Sequence, residues 1–221
     1  MSDSVSLEWR DKVAVVWIDN PPVNALSHHV RSGIVDCLKQ ATNEGATAAV
    51  LAGRGGTFIA GADIREFGHP PIQPMLPEVC DIIEATGIPV VAAVEGNTLG
   101  GGLETALACH YRVADERAKV GLPEVLLGIL PGAAGTQRAP RAIKDPVAAV
   151  TMISSGAPIS GSKAAEIGLV DRVSKGNAVE DAVALAGEAS NESLDGRRLS
   201  KVELEMTPEV AATFDTAMVE I

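Results

Sequence analysis

The chain has 221 residues, 46% hydrophobic, 21% charged and only 3% aromatic, which fits one globular domain, or one with an appendage, around an aliphatic core. Its formal net charge of −11 argues against nucleic acid or an anionic membrane as partner, while a small phosphate-bearing molecule needs only a local basic patch or helix N-termini. Cys37, Cys80 and Cys109 show neither CxxC nor Cys/His spacing, which argues against a disulfide framework and against structural zinc.

Residues 13–18 are rich in β-branched side chains and read as a strand closed by the turn Asn20-Pro21-Pro22. Ser27 caps a predicted helix running to about residue 43, with Val30, Ile34, Leu38 and Ala41 on one face. Residues 48–52 read as a buried strand, 53–56 as its turn and 58–60 as extended chain leading into Gly61. Residues 67–77 form a predicted loop holding Pro70, Pro71, Pro74 and Pro77, placed where a lid or substrate-entry segment would lie. A helix follows over about residues 76–85, then a strand at 89–94 whose continuous apolar run predicts burial on both faces. A second glycine turn at 96–102, a helix at 103–109 and a strand at 111–114 complete the repeat. Strand, glycine turn and helix in alternation predict an α/β fold with mainly parallel pairing. Beyond it, 131–135 reads as a loop, 146–154 and 162–167 as helices and 169–173 as a last short strand. From Ala178 the chain is helical by period, with a polar break at 191–200 and a final segment at 208–221.

Two glycine-rich stretches carry the chemistry. Gly61-Ala62-Asp63 closes one apolar segment, and Gly100-Gly101-Gly102-Leu103-Glu104 closes another. Glycine turns expose main-chain N–H groups, and two such groups aimed at one point can hold a developing oxyanion. Glu104 and the later Glu124, in Leu122-Pro123-Glu124, can supply acid and base beside that point. The apolar surround of Glu104 should raise its pKa unless it is paired. The alternatives are a structural Glu104 that caps a helix or pairs with an arginine such as Arg112, and a Glu124 at a loop edge on the surface. Two glutamates following two glycine turns favour the catalytic pair, and the set reads as a site for enolate chemistry on a thioester.

Other signals fail. Residues 156–163 approach a phosphate-binding loop but end Gly-Ser-Lys rather than Gly-Lys-Ser. A dinucleotide fingerprint is absent. His28, His29, His69 and His110 lack ligand spacing, so surface or loop roles are expected. Ser154-Ser155 has no nearby base.

Residues 58–67 (FIAGADIREF), 96–105 (GNTLGGGLET) and 122–138 (LPEVLLGILPGAAGTQR), together with 18–26 (IDNPPVNAL), resemble the crotonase superfamily, specifically its enoyl-CoA hydratases. The resemblance implies a crotonase-type spiral of repeated β-β-α units. It implies a catalytic core over residues 1–175 and an incomplete C-terminal helical segment over 176–221. By position, Ala62 and Gly101 would donate the oxyanion-hole N–H groups, and Glu104 and Glu124 would be the catalytic carboxylates. Asn24, Ala25 and Leu26, with Ala60, Gly61, Asp63, Ile64 and Gly100, would line the acyl-CoA. CoA is part of the substrate in this family, so neither metal nor separate cofactor is expected.

The related isomerases generally keep only the carboxylate matching Glu124. Both glutamates therefore point to hydration of trans-2-enoyl-CoA to 3-hydroxyacyl-CoA in fatty-acid β-oxidation. Δ3-Δ2-Enoyl-CoA isomerase activity, or an acyl-CoA-binding fragment without turnover, is the alternative. Residues 61–71 and 109–114 look closer still to the N-terminal hydratase part of multifunctional β-oxidation enzymes, where an NAD-dependent 3-hydroxyacyl-CoA dehydrogenase follows. These 221 residues show no counterpart of that part and are fewer than a free-standing crotonase would have, so an N-terminal piece of a longer enzyme is expected. The expected associations are a homotrimer or a dehydrogenase part, with no nucleic acid and no membrane insertion. The N-terminus lacks a secretion pattern, no apolar run reaches transmembrane length, and the chain does not end in Ser-Lys-Leu, so a cytoplasmic setting is expected.

Overall fold

The structure, a computed structural model, describes residues 4–204, 208, 210–212 and 215. Its strands are β1 (Val5–Arg10), β2 (Val13–Ile18), β3 (Ala48–Gly53), β4 (Val90–Val94), β5 (Asn97–Leu99), β6 (Tyr111–Asp115), β7 (Lys119–Gly121), β8 (Ile159–Ser160) and β9 (Arg172–Ser174). Its helices are α1 (His28–Asn43), α2 (Leu76–Ala85), α3 (Gly101–Ala108), α4 (Gly135–Ala142), α5 (Pro146–Ser155), α6 (Gly161–Glu166) and α7 (Ala178–Ala189). Six strands form one sheet in the order β1-β2-β3-β4-β6-β9, antiparallel only at β1–β2. A small sheet, β5-β7-β8, stands apart from it. The chain thus winds through successive β-β-α units, which is the spiral expected.

The unbroken apolar side chains of β2, of β3 up to Ala52 and of β4 follow from cover on both faces. Ala14, Val16 and Ile18 of β2 and Ala92 and Val94 of β4 belong to the larger core, which α1, α2 and α3 complete. The alternate residues Val13, Val15 and Trp17, with Val91 and Ala93, pack on the opposite face with Ala182, Leu185 and Ala186 of α7. Burying one Val, Leu or Ile side chain contributes about 1.5–3 kcal/mol, so both faces hold the sheet. α3 is buried at every residue. Its small side chains let it sit between sheet and α4, and this carries Glu104 inside.

The sequence reading needs several corrections. It omits β1, an edge strand that mixes Glu8 and Arg10 into an apolar pattern, and it omits β7 and β8. The turn expected at 96–102 contains β5, and the loop expected at 131–135 runs into α4 at Gly135. In the stretch 58–60, read as extended chain, Phe58 and Ala60 donate main-chain N–H groups to the Glu95 and Val23 carbonyls without joining a strand. The last strand lies later than expected because the Leu169 and Val170 N–H groups turn back to the Ala164 carbonyl. His110 is fully buried rather than superficial, and its Nδ1 accepts the Val90 N–H at 3.0 Å. The final segment predicted at 208–221 falls mostly outside the described residues. Among those described, no helix is long and apolar enough to cross a membrane.

Candidate active site

Two turns present the main-chain donors. Gly61 has φ 141° and Gly100 has φ 52°, both in the region that favours glycine. Each glycine immediately precedes a donor. Gly101 opens α3, so its N–H has no partner within that helix. The Ala62 N–H makes no hydrogen bond to another described residue. A β-carbon placed on Gly101 would lie 3.5 Å from the Ala62 nitrogen and 2.8 Å from Leu76 Cδ2. The two donors therefore adjoin one another beneath Leu76. Both border a cleft of about 910 Å³ that also takes in Glu104 and Glu124.

Glu104, on α3, is 2% exposed. Its Oε1 accepts the main-chain N–H of Ala133 at 2.7 Å and of Gly135 at 2.8 Å. Gly135 is the first residue of α4, so the carboxylate also meets the positive end of a helix. Burial pushes its pKa above the ordinary range, against those two bonds and the nearby Arg138 charge. Arg112 is not its partner: that guanidinium pairs with Asp171 and with the carbonyls of Leu169, Ala106 and Cys109.

Glu124 stands in the single-turn helix Pro123–Leu127 and is buried, not a surface residue. A β-carbon on Gly100 would lie 3.0 Å from its Oε1, which places the carboxyl beside the second glycine turn. Its Oε2 is buried without a hydrogen-bond partner. Burial raises its pKa, and the charge of Glu104 raises it further. The two glutamates thus share one cleft with opposite surroundings. One is held by two main-chain donors from another segment, and the other has only its own N–H to favour its charge, with Oε2 unpartnered.

Of the remaining predicted residues, Asp63 lines the cleft; its carboxylate binds the Arg65 N–H and guanidinium. Burial opposes those bonds, but they win and hold its pKa low. Asn24 is buried with φ 54°. Its Oδ1 accepts the Asn20 N–H, and its amide donates to the Arg54 and Thr57 carbonyls. Its side chain is therefore committed to the turn. Leu26 pairs with Ala62 as an isolated parallel bridge, so residues 24–26 and 60–62 run side by side. Ala25, Ala60, Ile64 and Gly100 are not among the residues that line the cleft. The proline-rich segment expected as a lid does form that wall, through Phe67, Pro70, Pro71 and Ile72.

Sequence reasoning missed four contributors. Arg138 grips the loop that holds Glu104 through the Ala133 carbonyl, and a lone arginine in GTQR carries no mark of that. Ala133 and Gly135 act through main-chain N–H groups, which side-chain patterns do not reveal. Arg31, buried on α1, ties the proline-rich loop to Leu26.

Comparison with known proteins gives the class. Residues 8–211 match the family described as enoyl-CoA hydratase/isomerase, and the chain belongs to that family. It is 46% identical over 213 residues to a peroxisomal bifunctional enzyme of Danio rerio, covering 96% of this chain and 30% of that protein. It is 43% identical over 201 residues to a probable enoyl-CoA hydratase of Bacillus subtilis, covering 86% of this chain and 78% of that one. The crystal structure of an enoyl-CoA hydratase from Bacillus anthracis superposes with a TM-score of 0.80 at 30% identity, over 99% of this chain and 91% of that one. The chain spans about 30% of the length of the bifunctional enzymes it matches.

Proposed function

We propose that this chain is an enoyl-CoA hydratase, adding water across the 2,3-double bond of a trans-2-enoyl-CoA to give 3-hydroxyacyl-CoA in fatty-acid β-oxidation. The asymmetry of Glu104 and Glu124 beside the free N–H groups of Ala62 and Gly101 supports this reading most. The thioester carbonyl accepts both N–H groups. Enolate charge then develops on that oxygen, where the donors bind it more tightly than the ground state. Each such donor is typically worth about 3 kcal/mol. Glu104 orients a water and takes its proton as the hydroxyl bonds to C3. Glu124 gives its own proton to C2. The pair holds one proton before and after, so the sum is addition of water. General acid–base work of this kind contributes about 10²–10⁴-fold. This route calls for no metal or separate cofactor, and CoA enters as part of the substrate.

The unpartnered Oε2 of Glu124 also suits a proton carried between C4 and C2, which supports a lesser isomerase activity. We infer that the chain works beside further protein, either a dehydrogenase part or other copies in a homotrimer. The partial coverage of bifunctional relatives supports the first. The exposed run Leu126, Leu127 and Leu130 beside Glu124 supports cover of either kind. Free, buried cysteines support a reducing setting such as the cytoplasm. The test is the loss of conjugated-thioester absorbance from crotonyl-CoA. Hydration by the wild type but not by Glu124→Gln is expected. A wild type that binds CoA esters and never hydrates them replaces the enzyme with a binding module.

A further inference from the structure

Arg31 is charged yet only 6% exposed. A guanidinium out of water must place its donors on good acceptors. Nε donates to the Pro74 carbonyl at 2.8 Å, and Nη2 to the Ile72 carbonyl at 3.2 Å. Nη1 donates to the Leu26 carbonyl at 2.8 Å and to Glu66 Oε2 at 2.7 Å. These acceptors lie on three stretches: Leu26 beside Ala62, the single turn Ile64–Glu66, and the proline-rich loop.

That loop has little bonding of its own. Pro70, Pro71 and Pro74 offer no N–H. The His69 N–H reaches the Glu66 carbonyl at 3.3 Å, and the Met75 N–H reaches Gln73 and Glu78 side chains. The Phe67 N–H reaches the Ile64 carbonyl at 3.2 Å, and further anchorage comes from α1. His28 Nε2 bonds the Gln73 carbonyl at 2.9 Å, and the His28 N–H bonds Glu66 Oε1 at 2.6 Å. The loop's apolar side chains, Phe67 and Ile72, are more than half exposed and line the cleft. A wall this poorly bonded to itself takes its position from α1, and Arg31 makes two of those bonds, to the Pro74 and Ile72 carbonyls.

We propose that Arg31 is a positioning residue that sets acyl-chain selectivity, by fixing the proline-rich loop as the wall against which the distal methylenes pack. The proposal rests on the hydratase reading and extends it. The bond to Leu26 acts near Ala62 and so affects short and long substrates alike. The bonds to Ile72 and Pro74 act only on the wall, and their effect grows with chain length. The ratio between long and short substrates is therefore the diagnostic quantity. Lysine keeps the charge but offers a single nitrogen, which cannot span acceptors on three stretches.

The experiment compares wild type, Arg31→Met and Arg31→Lys on crotonyl-CoA and trans-2-decenoyl-CoA. It also measures Kd for butyryl-CoA and decanoyl-CoA, saturated esters that are not turned over. In Arg31→Met the decenoyl-to-crotonyl ratio of kcat/KM should fall about tenfold, chiefly through KM, because each methylene in an apolar pocket discriminates on that scale. Arg31→Lys should fall between, and the saturated pair should show the same loss in Kd ratio. Ratios within about twofold of wild type in cooperatively folded variants would overturn the assignment, since one lost methylene contact exceeds that. A wild type that binds the longer ester no better than the shorter would overturn it too. Should Arg31→Met fail to fold, Arg31→Lys decides. A wild type that binds the saturated esters but hydrates neither enoyl ester defeats the hydratase reading alone, and the Kd ratio still decides Arg31.

Discussion

Gly135 donates its main-chain N–H to Glu104 Oε1 across 2.8 Å, which turns the start of α4 onto a buried carboxylate. Ala133 adds a second donor to the same oxygen. Hydrogen bonds to the charged form favour it, while burial without donors disfavours it. Glu104 is therefore the member that ionises more readily, and Glu124, whose Oε2 meets no donor, is the member that keeps its proton, as the proposed roles of base and acid require.

Glu124→Gln should lower kcat for crotonyl-CoA by about 10²–10⁴-fold, the usual worth of a general acid, with little change in Kd for butyryl-CoA. Glu104→Ala should also lose hydration, and it should lose stability. It leaves the Ala133 and Gly135 N–H groups buried without an acceptor, at about 1–3 kcal/mol each. Urea midpoints together with initial rates check both. Equal rates for wild type and Glu124→Gln would remove Glu124 from the chemistry.

The pH dependence follows from the same pair. Burial raises both carboxyl groups above the ordinary value of 4.5, and they titrate as a pair. The acidic limb of kcat/KM should lie above 4.5, because protonating the ionised member removes the base. The alkaline limb appears where the second proton leaves and the acid is lost. Stability runs in the opposite sense to that of a salt-bridged acid. A carboxyl whose folded pKa is raised binds its proton more tightly when folded, so stability falls as pH climbs from the unfolded to the folded value. Glu124→Gln should flatten that fall in melting temperature. An unchanged slope would mean that Glu124 is not buried as described.

Gly100 couples the donors to the acid. Its φ of 52° and ψ of −123° cost a side-chain-bearing residue about 1–3 kcal/mol. A β-carbon there would also press on Glu124 Oε1 at 3.0 Å. Gly100→Ala should thus lose stability and also about 10²–10³-fold in kcat, the scale of one displaced oxyanion donor. Gly55→Ala is the control. Its φ is 75° but no atom lies within 4 Å of the added carbon, so it should lose stability and keep its kcat. Similar kcat losses in both variants would show strain alone to be the cause.

The three motifs show in the sequence because glycine at positive φ, a glutamate in an apolar run and a proline-rich loop each need unusual residue types. Their convergence at Gly101 and Ala62 follows from the ββα spiral and is not visible in either motif alone. What stays hidden is whatever acts through the main chain. Ala134 adopts φ 68° without being glycine, so the turn that points two N–H groups at Glu104 looks like ordinary loop. The strands β5, β7 and β8 have at most three residues, too few to show a period. Arg31 and Arg138 look like ordinary surface arginines until packing buries them.

Arg138 is the last of these and the most exacting test of the electrostatics. It is 2% exposed, bonds Glu84 Oε2 at 3.2 Å and donates to the Ala133 carbonyl at 3.2 Å. Its contact with the exposed Asp81 counts for little. Burial pushes Glu84 up, but the bonds from Arg138 and Ser200 outweigh it and hold its pKa below 4.5. A carboxyl lowered in this way contributes stability above its unfolded pKa, and that stability fades as pH falls through the folded value. Arg138→Met strands a buried carboxylate, and such losses run to about 3–5 kcal/mol near neutral pH. The loss should shrink toward acid pH, where Glu84 takes up a proton. Glu104 loses a neighbouring positive charge that lowers its pKa, so the acidic limb of kcat/KM should move to higher pH. Urea unfolding at two pH values and a rate profile test the two effects separately. A stability loss that does not vary with pH would show that Arg138 acts through packing alone.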